Sequence, residues 1–181
     1  GDGPLATATM TKLYNIATVV LYQHGSGWDE AESFVQRHFA SCMGADPTAE
    51  LVQPLSDVSG LFSRLEQAGV KIAIVTSDDH DTAVRTMDLL GVSQYVSEVV
   101  GGDDDLPMKP AADAFLHVCR RLGISPQRAM MVGDTVADLV MAERAGAGMR
   151  LAVLSGVGSR DELAPHTDII TAPIADIQVA A

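Results

Sequence analysis

The chain has 181 residues, of which 47% are apolar and only 4% aromatic, which is enough to build one domain, with or without a small insertion, around an aliphatic core. Its 12 basic and 24 acidic residues give a formal net charge of −12, which disfavours binding to nucleic acid or to an anionic membrane. A site for an anionic substrate would therefore need a local basic group or a metal ion.

The sequence gives no sign of a membrane or secreted protein. No apolar run is long enough to span a bilayer, and no basic segment precedes an apolar run as it does in a secretory leader. We therefore expect a cytoplasmic protein. Cys42 and Cys119 lie in apolar, helix-like stretches without metal-type partners, and we expect both to be reduced core residues.

The chain begins with the turn-forming stretch GDGPLAT, and residues 7 to about 50 then follow a helical pattern. Apolar residues recur at steps of three and four from Met10 to Leu21, and again from Trp28 to Cys42. The stretch HGSG separates the two, so we predict a hairpin-like pair of helices. The segment ATVVLY, residues 17–22, is rich in β-branched residues, and a strand is the alternative there.

From residue 56 onward, helical patterns alternate with short apolar runs. This alternation continues for about 115 residues, which is typical of an α/β protein with a doubly wound parallel sheet. The predicted strands are 71–77, 97–101, 129–133, 149–156 and 168–171, and the helical patterns between and around them are 58–65, 80–91, 111–123, 135–146 and 162–166.

Polar residues gather at the carboxyl ends of these strands, where ligands bind in open α/β sheets. Thr76 and Ser77 end one strand, Lys109 follows the next, and Asp134 and Asp138 follow a third. Two carboxylates four residues apart at a helix N-terminus can converge on one point, and oxygen ligands of this kind suit Mg²⁺. The lysine could hold an anionic group beside the metal.

Each of these residues also has a simpler interpretation. Asp134 could cap the following helix while Asp138 remains a solvated first-turn charge. Thr76 and Ser77 could likewise cap a helix, and Lys109 could be a solvated loop residue. Their common position on one sheet edge favours a site. The acidic run 103–105 is predicted to be a solvated loop, and the five histidines show no metal-type spacing and are predicted to be structural or superficial.

Four stretches together resemble the haloacid dehalogenase-like hydrolase superfamily, in its phosphoglycolate-phosphatase-like branch. They are KIAIVTSDD, MKPAADAF, MMVGDTVADLVMAERAG and GVGSRDELAPHTDII, and the similarity extends over residues 56–175. The resemblance implies a Rossmann-like core over residues 56–181, a small helical cap over residues 7–55, and a remnant of the family's first motif in residues 1–6.

The resemblance also implies a role for each residue of the predicted site. Thr76 would bind the transferring phosphoryl group, with help from Ser77, and Lys109 would stabilise the charge on the nucleophile and the phosphate. Asp134 would bind Mg²⁺, and Asp138 would bind the metal or orient its waters.

Asp2 matches the second aspartate of the family's first motif, Asp-x-Asp-Gly-Thr-Leu, with Pro4 in place of the threonine. The resemblance makes Asp2 the general acid/base and a further contributor to the metal site, and it puts the nucleophilic aspartate before Gly1. We therefore expect the 181-residue chain not to form an aspartyl-phosphate.

The same resemblance implies a first strand between those at 71–77 and 129–133. We expect one of three arrangements: an upstream segment supplies this strand, ATVVLY fills the gap from the same or a neighbouring molecule, or the two flanking strands pair directly.

The expected function is Mg²⁺-dependent hydrolysis of a phosphomonoester in a small phosphorylated metabolite. A non-catalytic binding or scaffold protein with this fold and a phosphosugar mutase are the alternatives. A dehalogenase is disfavoured, because it has no need of the metal that these carboxylates suit. A homodimer is conceivable if a strand is exchanged.

Overall fold

The computed structural model describes residues 10–43, 52–171 and 174–177, in which helices and strands alternate from residue 58 onward. The helices are α1 Met10–Gln23, α2 Trp28–Met43, α3 Val58–Gln67, α4 His80–Leu89, α5 Asp113–Leu122, α6 Val136–Ala145 and α7 Arg160–Leu163. The strands are β1 Ile72–Val75, β2 Val96–Val100, β3 Met130–Gly133, β4 Met149–Val153 and β5 Ile169–Thr171.

Helices α1 and α2 pack against each other as a hairpin. Thr18 of α1 and Ala31 and Val35 of α2 are buried, and the Tyr14 hydroxyl donates a hydrogen bond to the Glu32 carbonyl at 3.1 Å. The two predicted helices are therefore present. The strand alternative for ATVVLY is wrong, because residues 17–22 lie inside α1. Residues 1–9 and 44–51 lie outside the described ranges.

All five predicted strands are present, and every strand pairing is parallel. β1 pairs with β2, β3 with β4, and β4 with β5. Strand β1 has helices against both faces: Ile72 and Ile74 lie in a cluster with α3 and α4, whereas Val75 packs against the cluster of α5 and α6. The α/β class with helices on both faces of a parallel sheet is confirmed.

The strands form two sheets, one of β1 and β2 and one of β3, β4 and β5. Direct pairing of the strands flanking the expected first strand is therefore wrong, and so is the filling of the gap by ATVVLY of the same molecule, which is helical. Within the described part of the chain, β1 and β3 each keep one edge that no strand pairs. The two sheets still share a hydrophobic core, because Val75 of β1 and Met131 of β3 both pack against the α5–α6 cluster.

That shared core contains Phe115 and Cys119 of α5 and Met141 of α6. Cys119 is a free thiol, as expected, and its burial raises its pKa. The side chain of Cys42 is not among those described. In the described part of the chain, no helix combines the length and apolar character needed to cross a bilayer.

Candidate functional site

Thr76 and Ser77 form the turn that follows β1. The Thr76 backbone N–H donates to the Val100 carbonyl at 2.9 Å, which extends the pairing with β2 by one residue. The Thr76 hydroxyl accepts from the Asp78 N–H at 3.1 Å and lies 3.2 Å from the Asp78 carboxylate. Thr76 therefore closes its own turn and does not cap α4, whose N-cap residue is Asp79.

Ser77 is half-buried, and neither its N–H nor its hydroxyl has a hydrogen-bond partner among the described residues. Two donors at the end of a parallel strand are therefore available to a ligand. Donors at the carboxyl end of a parallel strand can bind an oxygen of an anionic ligand.

Lys109 connects the two sheets. Its ammonium group donates to a carboxylate oxygen of Asp138 at 2.7 Å and to the Val75 carbonyl at 3.4 Å. The Lys109 side chain is 13% exposed and that of Asp138 only 6%, so the pair is shielded from water. Lys109 is therefore not the solvated loop lysine of the simpler interpretation.

Asp138 is held by the first turn of α6. Thr135 is the N-cap residue, its hydroxyl accepts from the Asp138 N–H at 3.2 Å, and the Asp138 carboxylate accepts from the Thr135 N–H at 3.2 Å and from its hydroxyl at 2.6 Å. This is a capping box. The interpretation of Asp134 as the cap and Asp138 as a solvated charge is wrong, because Thr135 caps the helix and Asp138 is buried.

Asp134 lies beside the loop that follows β4. One carboxylate oxygen accepts from the Val157 N–H at 2.8 Å, and the Asp134 carbonyl accepts from the Gly158 N–H at 3.0 Å. A Cβ atom on Gly156 would lie 1.9 Å from the carboxylate, so this loop approaches Asp134 as only glycine allows. The second carboxylate oxygen has no partner in the described part of the chain.

The predicted site residues are brought together in part. Thr76, Ser77 and Lys109 line one small pocket of about 20 Å³, room for about one water molecule, between the ends of β1 and β2. Lys109 in turn contacts Asp138, and Asp134 precedes the same helix. The remaining predicted residue, Asp2, lies outside the described residues.

The donor chemistry fits Mg²⁺, although the described residues supply only part of a ligand set. Asp134 offers an unpartnered carboxylate oxygen, whereas both oxygens of Asp138 are bonded to Lys109 or Thr135. No group of three or more His, Cys, Asp or Glu residues suited to a metal occurs in the described ranges. Mg²⁺ is commonly held by one or two carboxylates together with waters and substrate phosphate.

Three residues near the site escaped the sequence interpretation. The Asp103 carboxylate accepts from the His80 N–H at 2.7 Å, and the Asp104 carboxylate accepts from the Gly101 N–H at 2.7 Å and lies 3.2 Å from the His80 ring. The acidic run is a largely exposed loop, as predicted, but the carboxylates of Asp103 and Asp104 are also hydrogen-bonded within the fold. No local signal identifies these partners, because His80 lies more than twenty residues earlier.

These contacts shift two carboxyl pKa values in opposite directions. Burial raises the pKa of Asp79, and the neighbouring charges of Asp103 and Asp78 raise it further. Burial also acts to raise the pKa of Asp104, but hydrogen bonds from Gly101 and His80 outweigh it and lower that pKa overall.

Comparison with known proteins identifies a family and several relatives. The haloacid dehalogenase-like hydrolase family matches residues 10–146. A phosphoglycolate phosphatase of Chromobacterium violaceum is 31% identical over 154 residues, 84% of this chain and 65% of that protein. One from Aquifex aeolicus is 30% identical over 115 residues, 64% of this chain and 54% of that protein. The matched part is thus less than two thirds of the length of either relative.

Solved structures show the same fold. A predicted phosphoglycolate phosphatase from Haemophilus somnus matches with a TM-score of 0.69 and 22% identity, over 81% of this chain and 66% of that one. At this level of identity the likeness concerns the fold alone.

Proposed function

The chain belongs to the haloacid dehalogenase-like hydrolase family, and from that premise we propose that it binds a small phosphorylated metabolite and, with Mg²⁺, serves the hydrolysis of its phosphomonoester. The similarity to two proteins named phosphoglycolate phosphatase supports a small phosphorylated substrate.

One observation carries the proposal: a shielded lysine shares a pocket with hydrogen-bond donors. The Lys109 ammonium group is 2.7 Å from Asp138 and lines the pocket with Thr76 and Ser77. The net charge of −12 makes the chain repel anions over most of its surface, so a phosphate needs such a local cation. The fixed ammonium group and the donors of the β1 turn are complementary to phosphoryl oxygens.

We assign the roles as follows. Ser77 donates hydrogen bonds from its N–H and hydroxyl to the phosphoryl oxygens, Thr76 closes the turn that presents these donors, and Lys109 neutralises part of the phosphoryl charge. Asp138 holds Lys109 in place and is not a direct metal ligand, since both its oxygens are already bonded. Asp134 and Asp2 would hold Mg²⁺, which when bound neutralises charge on the phosphoryl group. Asp2 would also serve as the general acid/base.

The proposed attack on phosphorus also needs a nucleophilic carboxylate, which the resemblance puts before Gly1 and therefore outside the described residues. The described residues are thus proposed to bind phosphate and Mg²⁺, and not to make the attack.

Binding of inorganic phosphate in the presence of Mg²⁺, measured by isothermal titration calorimetry, tests the site. Lys109→Met should weaken phosphate binding about tenfold or more, because it removes a charge-assisted contact. Lys71→Met is the matched control, since Lys71 is exposed and, among the described residues, bonds only to the Leu122 carbonyl. Equal phosphate affinity in the Lys109 and Lys71 variants, both shown to be folded by circular dichroism, would overturn the proposal.

A further inference from the structure

Two loops at the ends of β1 and β2 are bonded to each other. The β1 loop is residues 76–79 and the β2 loop is residues 101–105. The Gly102 N–H donates to the Asp78 carbonyl at 2.7 Å, and the His80 N–H donates to the Asp103 carboxylate at 2.7 Å. These two bonds continue the contact between β1 and β2 beyond the last paired residues of the strands.

The approach of the two loops depends on the absence of a side chain at one position. A Cβ atom on Gly101 would lie 2.4 Å from the backbone nitrogen of His80 and 2.6 Å from its Cα atom. Both are backbone atoms that cannot move without shifting the start of α4. Any side chain at position 101 would therefore force the β1 loop and the β2 loop apart.

Asp103 provides the hydrogen bond that the helix's own N-cap residue does not. Helix α4 begins at His80, and its N-cap residue, Asp79, makes no side-chain capping bond. The N–H of His80 is instead bonded to Asp103, which is 23 residues further along the chain. The first N–H groups of a helix need such partners, and here the partner comes from the loop of the neighbouring strand.

We infer that Asp103 is a positioning residue for the Thr76–Ser77 turn. The turn is fixed at one end by the β1–β2 pairing, through the bond from Thr76 to Val100. It is fixed at the other end by the bond from His80 to Asp103. The phosphate donors of the turn lie between these two fixed points. The link to phosphate rests on the proposed function, whereas the restraint on the turn is independent of it.

The test uses three variants of the full chain and two measurements. Asp103→Ala removes the bond to His80, and Asp103→Asn retains an acceptor oxygen without the charge. Asp105→Ala is the matched control, because Asp105 is exposed, lies in the same acidic run, and changes the net charge equally. The measurements are amide hydrogen exchange over residues 76–84 and Mg²⁺-dependent binding of inorganic phosphate.

We expect Asp103→Ala to speed exchange over residues 76–84 and to weaken phosphate binding, each about tenfold, which corresponds to the loss of one charge-assisted hydrogen bond. Asp103→Asn should restore most of both, and Asp105→Ala should change neither. A merely destabilising role would speed exchange throughout the protein and not only in this segment.

Two results would overturn the inference: exchange over residues 76–84 that is unchanged in Asp103→Ala, or equal effects of Asp103→Ala and Asp105→Ala on phosphate binding. Failure of the wild-type chain to bind phosphate would instead overturn the proposed function, and the exchange measurement would still decide whether Asp103 holds the turn.

Discussion

The two sheets fix their parts of the candidate site by different means. On the three-stranded side, Asp138 is held by Thr135, only three residues before it. On the two-stranded side, the turn at Thr76 and Ser77 is held between β2 and Asp103, a residue more than twenty positions later. The capping box of Thr135 and Asp138 is local and forms with its helix. The bond between His80 and Asp103 forms only once β1 and β2 are paired.

Lys109 links the two-stranded side to the three-stranded side, since it contacts Val75 at the end of β1 and Asp138 at the start of α6. We therefore predict that breaking the contact between Lys109 and Asp138 lowers the free energy of unfolding more than a change confined to the two-stranded or the three-stranded side.

Asp138→Ala should have the largest effect on stability. It removes the partner of a shielded ammonium group and the carboxylate that accepts from the Thr135 N–H and hydroxyl in the capping box, so we expect a loss of about 3 kcal/mol or more in the free energy of unfolding. Urea denaturation measures it. Asp161→Ala is the control, an exposed first-turn carboxylate of α7. If the free energies of unfolding of the two variants differed by less than about 1 kcal/mol, the contact between Lys109 and Asp138 would contribute no more than an exposed surface charge.

Gly156→Ala tests the proposed role of Asp134 as a ligand of Mg²⁺. The added Cβ atom would lie 1.9 Å from the Asp134 carboxylate and 2.5 Å from its Cβ, so Asp134 must move. We expect a stability loss of about 1–3 kcal/mol from overpacking and weaker binding of Mg²⁺ in a calorimetric titration. Gly27→Ala is the control, because its Cβ would meet nothing within 4 Å. Unchanged Mg²⁺ affinity in Gly156→Ala would argue against Asp134 as a ligand.

The same division between local and distant contacts explains how far the sequence could be interpreted. Alternation of apolar runs and helical patterns located all five strands, because burial on both faces marks a parallel strand locally. The pattern Thr135-x-x-Asp138 is a capping-box signature that lies within four residues, and it identifies Thr135 rather than Asp134 as the cap.

The distant contacts could not be predicted in this way. Lys109 and Asp138 are 29 residues apart, and only the fold brings their charges to 2.7 Å. The acidic run 103–105 has the composition of a solvated loop. Nothing in that composition indicates that Asp103 accepts a hydrogen bond from the first residue of α4, the helix that follows β1. The separation into two sheets could not be predicted either, because the periodicity of apolar residues indicates where strands lie but not which strands pair.

Thr135→Ala should have a smaller effect on the free energy of unfolding, because it changes only the capping box at the start of α6. Loss of the N-cap hydroxyl is expected to cost about 1 kcal/mol in the free energy of unfolding, as in other helices. Thr135→Ser retains the hydroxyl and should recover most of that loss. If alanine and serine at position 135 gave equal urea midpoints, the capping box would not contribute to stability.

The smallest expected effect concerns the charge of Asp104 and depends on pH. The hydrogen bonds from Gly101 and His80 lower the pKa of Asp104 from its ordinary value of 3.8 in the folded protein, although burial opposes them. The charged form therefore stabilises the fold above the pKa of the unfolded chain, and this contribution is lost as the pH falls through the folded pKa. Asp104 and His80 are 37% and 40% exposed, so the contribution should remain below about 1 kcal/mol.

Asp104→Asn removes the charge and retains the acceptor. Its free energy of unfolding should lie slightly below that of the wild type at pH 5, and the difference should shrink as the pH falls below the ordinary Asp pKa of 3.8. A difference that stays constant as the pH falls would mean that the hydrogen bond to Gly101, and not the charge beside His80, accounts for the contribution of Asp104. In that case the two-stranded half would depend on the geometry of its acceptors alone, as the capping box of the three-stranded half does.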